Sequence, residues 1–110
     1  MGRGPPAARV GAVNFALVID PLAEADLALA RAEYEAIDPE LGSRFAAAVD
    51  DAFERIRAAP VLYPLVTDDV RFIIPRRFPY VVYYRIGGDR MAVLAVIHKR
   101  QDQARWMRRL

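Results

Sequence analysis

The chain contains no cysteine, a single histidine and a single lysine. Without thiols it can form neither a disulfide scaffold nor a thiolate metal site, and it has no cysteine nucleophile. His98 alone does not suffice for a metal site built on several imidazole ligands. The absence of cysteine is typical of proteins in a reducing compartment, so we expect a cytoplasmic protein. We also expect that it binds no metal and uses no cofactor.

Long apolar segments and the common catalytic motifs are missing as well. No apolar run reaches the roughly 18 residues that a membrane span requires, so no membrane association is expected. There is no glycine-rich phosphate loop, HExxH motif, EF-hand loop or nucleophile elbow. Residues 1–12 lack the apolar stretch of a secretory signal, and we interpret them as a disordered tail or an extension from an early start codon. Residues 13–110 are expected to form one domain.

The basic residues are unevenly distributed along the chain. From residue 70 to residue 110 there are nine arginines and Lys99 against Asp89 and Asp102, whereas acidic residues concentrate between Asp20 and Glu54. Guanidinium groups gathered in one half of a chain favour a surface for phosphates or for an acidic partner. The alternative is a soluble protein with scattered arginines.

Apolar periodicity and turn signals predict one strand, two helices and three further strands. The predicted ranges are 14–19 for the first strand, 22–37 and 40–58 for the helices, and 70–74, 78–86 and 91–98 for the later strands. Asp20-Pro21 and Asp38-Pro39 are helix-entry signals, because aspartate caps a helix and proline suits its first position. Gly87-Gly88-Asp89 predicts a tight turn between the last two strands.

This order predicts an α+β fold in which a helical hairpin covers one face of a twisted sheet. The apolar stripes expected to face the sheet are Leu22, Ala25, Leu29, Ala32 and Ala36 on the first helix, and Leu41, Phe45, Val49, Ala52 and Ile56 on the second. In the last strand both alternating sets are apolar, namely Met91, Val93, Ala95 and Ile97 on one face and Ala92, Leu94, Val96 and His98 on the other. Because the helices can cover only one face, the other requires the C-terminal segment 101–110 or a partner chain.

Two adjacent arginines and three tyrosines lie on or beside the predicted sheet. Arg76-Arg77 falls between two strands, where paired guanidinium hydrogen bonds suit a phosphate, although a solvated turn is the alternative. Tyr80, Tyr83 and Tyr84 share one strand, so neighbouring members point to opposite faces. We expect at least one of them in the core, while an exposed one beside arginines could stack on a base.

The last strand ends in a second group of candidate residues. His98 precedes Lys99 and Arg100, and imidazole titrates near neutral pH, as acid–base catalysis requires. A lone histidine at a strand end is nevertheless more often structural. Trp106 lies in a segment that we expect to form a short helix, where it closes the open side of the core or stacks on a base.

The ordered series of these residues resembles the RelE/ParE superfamily, the plasmid-stabilisation toxins of type II toxin–antitoxin pairs. In the second half the matching residues are Arg71, Phe78-Pro79-Tyr80, Tyr84-Arg85, Val96-Ile97-His98, Arg100 and Trp106. In the first half they are Ala23 to Leu27, Tyr34-Glu35, Leu41-Gly42, Arg44-Phe45, Val49, Phe53, Ile56, Pro60 and Tyr63-Pro64. The resemblance covers about residues 13–108.

The resemblance implies a RelE/ParE-like fold: an N-terminal strand, an antiparallel helical hairpin, a three-stranded antiparallel sheet, and a short C-terminal helix or tail. It also implies a cognate antitoxin whose tail wraps the toxin. RelE-like members cleave messenger RNA in the ribosomal A site without metal, through attack of the 2′-hydroxyl on the adjacent phosphate. ParE-like members lack that catalytic set and poison DNA gyrase.

The match to the ribonuclease group is partial. Arg100 falls where that group has a phosphate-binding arginine, and Trp106 falls near its late tyrosine, but an indole cannot act as a general acid. A central-strand arginine of the group corresponds to Val81, and a lysine pair corresponds to Phe72 and Ile74. These apolar replacements weaken a standard ribonuclease mechanism and leave the gyrase interpretation unaffected.

Three hypotheses follow for the function of this chain. As a metal-independent ribonuclease it would use Arg71, Arg77, His98 and Arg100 in catalysis. As a gyrase poison it would be a binding protein without catalytic residues, and as a decayed toxin it would bind only its antitoxin. Residues expected to contact a nucleic acid or another target are Arg76, Tyr80, Tyr84, Arg85, Lys99 and Trp106.

Overall fold

Within the part of the chain that the structure describes, four strands and two helices follow one another in the predicted order. A computed structural model describes residues 15–101 and 107–109, so the expected tail at 1–12, Trp106 and most of the predicted C-terminal helix lie outside the described residues. The elements are β1 (Ala16–Ile19), α1 (Pro21–Ile37), α2 (Pro39–Ala58), β2 (Val70–Ile73), β3 (Tyr80–Gly87) and β4 (Arg90–His98). The predicted α+β class is thereby confirmed.

The strands form one mixed sheet in the order β1-β4-β3-β2. Strands β2, β3 and β4 pair antiparallel as expected, and Gly88 adopts the positive φ of 63° that the tight turn after β3 requires. Strand β1 adds a fourth member, because the helical hairpin returns the chain so that β1 lies parallel to β4. The N-terminal strand therefore belongs to the same sheet as the three later strands.

Both helices begin with proline at the first position, but their entries differ in detail. The Asp38 side chain accepts a hydrogen bond from the Glu40 backbone N–H at 3.0 Å, which is a regular N-cap. The Asp20 side chain makes no capping bond, and its backbone N–H donates instead to the Val93 carbonyl at 2.9 Å. The start of α1 is thus held by the sheet, and the start of α2 by a side chain.

Helix α2 packs through the predicted stripe, with Phe45, Val49, Ala52 and Ile56 buried. Gly42, near its start, lies where α1 comes closest. A Cβ at this position would collide with the Glu35 side chain and would lie 3.3 Å from the Arg31 carbonyl oxygen. The missing side chain therefore permits the close approach of the two helices.

Helix α1 does not pack through the predicted stripe. Leu22, Ala25, Leu29, Ala32 and Ala36 are all exposed, with Leu22 and Leu29 at 54% and 62%. The residues that face the sheet are Ala23, Leu27, Ala30 and Tyr34, which also recur at helical spacing. The prediction was wrong because α1 carries two apolar stripes on different sides, and periodicity alone cannot tell which one is buried.

A β-bulge divides the sheet between Tyr83 and Tyr84. Tyr83 pairs with Ala95 while Tyr84 pairs with Val93, so Leu94 is an extra residue in β4. Met91, Val93 and Val96 therefore face the helices, whereas Leu94, Ala95 and Ile97 lie on the second face. The predicted alternation of β4 fails after the bulge, because both faces are apolar and the sequence offers no sign of the shift.

The second face of the sheet forms its own apolar cluster. Tyr83, Leu94 and Ile97 are 5–6% exposed, and Val70 and Ala95 are fully buried. Among the described residues, those packed against this cluster are Val66, Phe72, Val81 and Ala92. The second face of the sheet is therefore apolar and buried, as the two apolar faces of β4 predict.

Candidate target-binding site

One end of the sheet, where β3 begins and β4 ends, gathers five of the predicted residues. We call this group, which consists of Arg76, Arg77, His98, Lys99 and Arg100, the basic end. Strand pairing places Tyr80 opposite His98, and the Lys99 backbone N–H donates to the Pro79 carbonyl at 2.8 Å. These contacts bring the β2–β3 connection against the residues that follow β4.

The β2–β3 connection has an unusual backbone at Arg77. Its φ is 71°, in the left-handed region that residues with a side chain rarely adopt and that carries a conformational penalty of about 1–2 kcal/mol. Buried Pro75 and partly buried Phe78 flank the turn and fix its position on the core. Arg76 and Arg77 are consequently held in solvent, with Arg76 paired only loosely to Asp51 at 3.8 Å.

His98 is held in place by the residues around it. Its Nδ1 accepts a hydrogen bond from the Arg100 backbone N–H at 3.0 Å, so the proton of the neutral ring is assigned to Nε2. Its backbone N–H donates to Gln101 Oε1 at 2.8 Å. The ring packs edge-on against Tyr80, with centroids 5.1 Å apart, which fixes its orientation.

The aromatic cluster beneath the basic end supports it. Tyr34, Phe45, Phe78 and Tyr80 contact one another with ring centroids 5.1–6.2 Å apart. Burial raises the pKa of Tyr80, and the nearby Tyr34 and Glu33 raise it further. The phenol therefore stays protonated at neutral pH, and its buried ring offers no free face for a base.

The basic end carries a positive charge that its surroundings leave largely uncompensated. Arg77, Lys99 and Arg100 are exposed, and none of them forms an ion pair with a described residue. Uncompensated charge on a rigid surface attracts anionic partners and steers their approach. This end of the molecule is thus suited to an acidic protein surface or to phosphates.

A groove of about 470 Å³ continues the basic end along α2. Its lining consists of Leu41, Arg44, Ala47, Ala48, Asp51, Arg76, Arg77 and Phe78. The lining thus combines apolar side chains with three guanidinium groups and the Asp51 carboxylate, which is 3.8 Å from Arg76. Sequence reasoning missed Arg44 and Leu41 as members of this site, because they join it through tertiary packing and not through any local motif.

Two predicted site arginines lie elsewhere and hold the loop between α2 and β2. Arg71 donates through Nη1 to the carbonyls of Tyr63 at 2.7 Å and Val61 at 3.2 Å. Arg85 lies 2.9 Å from Asp69. The arginines of the second half of the chain are therefore divided among separate locations and do not form one continuous surface.

The remaining tyrosines of β3 are buried on opposite faces, as their alternation predicts. Tyr84 is fully buried on the helix side, where its hydroxyl donates to the Pro60 carbonyl at 2.7 Å. Burial raises its pKa to about 12, against a smaller opposing effect of the Arg71 charge. Tyr83 belongs to the cluster on the second face, so neither ring lies at the basic end.

The described residues contain neither a candidate metal site nor a candidate membrane span. Residues 15–101 and 107–109 contain no group of three or more metal-ligating side chains. In the same part of the chain, neither helix combines the length and the apolar character needed to cross a bilayer.

Comparison with known proteins gives a consistent result. The family described as "ParE toxin of type II toxin-antitoxin system, parDE" matches residues 17–103. Among solved structures, a chain of the chromosomal ParDE TA system from P. aeruginosa is similar, with a TM-score of 0.58 and 20% sequence identity. The alignment covers 76% of this chain and 95% of that chain. A search of curated proteins returned no significant match.

The family match extends over almost the whole described domain, from β1 to the residues after β4. The structural similarity, which extends over 95% of that chain with a TM-score of 0.58, supports the same overall fold. The chain therefore belongs to the ParE toxin family, the toxin components of type II ParDE toxin–antitoxin systems.

Proposed function

We propose that this toxin inhibits growth by binding DNA gyrase through the basic end, without cleaving RNA, and that a cognate antitoxin neutralises it. The observation that carries the proposal is that Phe72, Ile74 and Val81 stand at the positions where the ribonuclease group has two lysines and an arginine. A ribonuclease must place several donors around one phosphate to stabilise the charge that develops there. Apolar side chains at these three positions cannot supply those donors.

The positions that would hold the catalytic arginine and lysines support this view. Phe72 and Val81 pack against the apolar cluster on the second face of the sheet. Ile74, the third position, is a partly exposed aliphatic side chain. None of the three can donate a hydrogen bond from its side chain or carry charge, so the standard ribonuclease chemistry lacks one of its arginines and both of its lysines.

Of the four arginine and histidine residues predicted for catalysis, Arg71 lies apart from the other three. Arg71 is engaged by the carbonyls of Val61 and Tyr63, whereas Arg77, His98 and Arg100 lie at the basic end. A guanidinium that already satisfies two backbone carbonyls contributes to the loop and is not free for a substrate. The candidates that remain suit binding, because exposed charge beside an apolar groove resembles a protein contact surface.

The proposal is tested with purified toxin and purified DNA gyrase in a supercoiling assay. Replacing Arg77 and Arg100 with alanine should raise the inhibitory concentration roughly tenfold, since two exposed charges contribute about 0.7 kcal/mol each. The matched control is Arg57→Ala with Arg90→Ala, which removes the same charge away from the basic end and should leave inhibition unchanged. Equal inhibition by both double variants would contradict the proposed surface.

Two further measurements separate the alternatives. Translating ribosomes incubated with the toxin should yield intact messages, and cleavage that His98→Ala abolishes would establish the ribonuclease instead. Expression of the chain without antitoxin should arrest growth. Normal growth with soluble, folded protein would mean that only antitoxin binding survives.

A further inference from the structure

Strand β4 is longer than the strand that pairs with it on the side away from β3. Strand β1 ends at Ile19, opposite Val93, whereas β4 continues to His98. Within the described part of the chain, β4 therefore has an open edge after Val93, and the backbone groups of such an edge are a template for pairing with another chain. The segment from Ala92 to Ile97 (AVLAVI) contains no charge, proline or glycine, which is typical of segments that pair readily.

Two side chains take the place of a strand at the first part of this open edge. The Val96 N–H donates to Asp26 of α1 at 2.9 Å, and the Leu94 carbonyl accepts from Arg109 at 3.1 Å. Arg109 also binds both carboxylate oxygens of Asp26, at 2.7 and 3.1 Å. The two side chains are only 17% and 18% exposed, so water competes little for these bonds.

A third side chain closes the end of the strand. The His98 N–H donates to Gln101 Oε1 at 2.8 Å, and the His98 carbonyl accepts from the Gln101 backbone N–H at 2.9 Å. His98 and Val96 are two residues apart, so their backbone groups point to the same edge. The side chains of Asp26, Gln101 and Arg109, which we call the edge guard, thus occupy groups that a further strand would use.

We propose that the edge guard keeps this chain from pairing with a second copy of itself through β4. Two copies related by a twofold axis at Val96 would form an antiparallel pair, with Val96 opposite Val96 and Leu94 opposite His98. In that register the Leu94 carbonyl of one copy accepts from the His98 N–H of the other, and the two Val96 residues exchange hydrogen bonds. The edge guard occupies these same groups in the single chain. The proposal rests on the sheet and does not depend on the target of the toxin.

Sedimentation velocity of a variant without the ion pair tests the proposal. Asp26→Ala with Arg109→Ala frees the Val96 N–H and the Leu94 carbonyl. As its concentration rises, this variant should form a species with twice the mass of the parent, because the freed groups find partners on a second copy. The parent should stay monomeric over the same range of concentration.

Two further variants separate the loss of the edge guard from a loss of stability. Gln101→Ala with Arg109→Ala leaves Asp26 on the strand but frees both ends of the proposed pairing, so it should dimerise at higher concentration than the first variant. The matched control, Arg31→Ala with Glu35→Ala, removes an exposed ion pair from the same helix and should stay monomeric. Circular dichroism establishes that each protein is folded.

Amide hydrogen exchange locates the contact in the dimer. In the variant without the ion pair, the Val96 and His98 amides should exchange more slowly at high than at low concentration, since they are bonded to the second copy only in the dimer. Amides of β2, at the opposite edge of the sheet, should depend much less on concentration.

Several results would overturn the proposal. They are a folded, monomeric state of both edge-guard variants at every concentration, a parent or control that dimerises as readily as they do, or a dimer whose Val96 and His98 amides exchange equally fast at all concentrations. If Asp26→Ala with Arg109→Ala does not fold, the Gln101 and Arg109 double variant decides the question.

Discussion

Arg71 and Arg77 lie close together in the chain but have different surroundings. Arg71 is half-buried and donates to two loop carbonyls, whereas Arg77 is exposed and forms no ion pair with a described residue. An arginine therefore stabilises the loop at position 71, whereas the arginine at position 77 is available for binding. Stability measurements can distinguish the two.

We expect Arg71→Ala to lower the free energy of unfolding by about 1–2 kcal/mol, because hydrogen bonds from a charged group to carbonyls are lost. Arg77→Ala should change it by less than about 0.5 kcal/mol, as is usual for an exposed side chain. Urea denaturation followed by circular dichroism measures both. An Arg71→Ala protein as stable as the parent would show that the loop does not depend on this residue.

The Tyr84 hydroxyl should make stability depend on pH in the alkaline range. Its pKa is raised from 10.0 to about 12, so the fold favours the neutral phenol. The corresponding stabilisation is complete below pH 10 and is lost as the pH rises towards 12. Tyr84→Phe should remove this contribution to the loss of stability at alkaline pH.

At pH 8 the same replacement should lower stability by about 1 kcal/mol, because the Pro60 carbonyl loses its donor. Urea denaturation of parent and variant at pH 8 and pH 11 gives the comparison. A stability difference that is the same at both pH values would contradict the raised pKa.

At the scale of secondary structure, the two helix entries look alike in sequence but are held differently. Asp38 caps α2 with its side chain, while Asp20 contributes only its backbone. We expect Asp38→Ala to lower the free energy of unfolding by about 1 kcal/mol and Asp20→Ala by only a few tenths. Thermal and urea denaturation of the two single variants test this, and equal losses would contradict it.

Element type and order could be predicted from this sequence, because entry signals, glycine turns and apolar spacing are local. Which side of α1 is buried could not, since Leu22 and Leu29 are as apolar as Ala23 and Leu27. The bulge at Leu94 was also missed, because a strand with two apolar faces keeps its pattern when one residue is inserted. Both failures concern packing against residues distant in the chain.

The candidate site could be predicted only in part, because some of its contacts follow from local sequence signals and others do not. Arg76-Arg77 and the residues from His98 to Arg100 come together because strand pairing joins the ends of β3 and β4, and that pairing follows from the turn between them. Arg44 joins the site only through the crossing of α2 over the sheet. The separate role of Arg71 could not be foreseen, because the loop carbonyls that it binds have no sequence signal.

At the scale of the whole molecule, Arg109 forms an ion pair with Asp26 of α1. Strand β1 ends at Ile19, so the part of β4 after Val93 has no paired strand on that side. There the Asp26 side chain accepts a hydrogen bond from the Val96 backbone N–H at 2.9 Å. Arg109 binds both carboxylate oxygens of Asp26, at 2.7 and 3.1 Å, and its hydrogen bond to Asp26 raises its pKa. Arg109 also donates to the Leu94 carbonyl at 3.1 Å.

Removal of this carboxylate should be more damaging than removal of its partner. We expect Asp26→Ala to lower stability by about 2 kcal/mol, because the Val96 N–H loses its acceptor and the Arg109 guanidinium loses its counter-ion, and Arg109→Ala by about 1 kcal/mol. Asp26→Asn keeps an acceptor and should fall between them. A double-mutant cycle in urea with a coupling near zero would show that the pair contributes nothing.

Uncompensated charge is concentrated at one end of the molecule. Asp26 and Glu35 on α1 are paired with Arg109 and Arg31, whereas Arg77, Lys99 and Arg100 at the basic end form no ion pair with a described residue. An anionic partner is therefore expected to approach the molecule at the basic end.

Our central proposal is that the toxin acts on DNA gyrase and does not cleave messages. The most direct measurement is the order in which DNA synthesis and protein synthesis stop after the toxin is induced without antitoxin, followed by pulse labelling with thymidine and methionine. We predict that thymidine incorporation falls first and that messages stay full-length. Loss of methionine incorporation first, with truncated messages and continuing replication, would contradict the account.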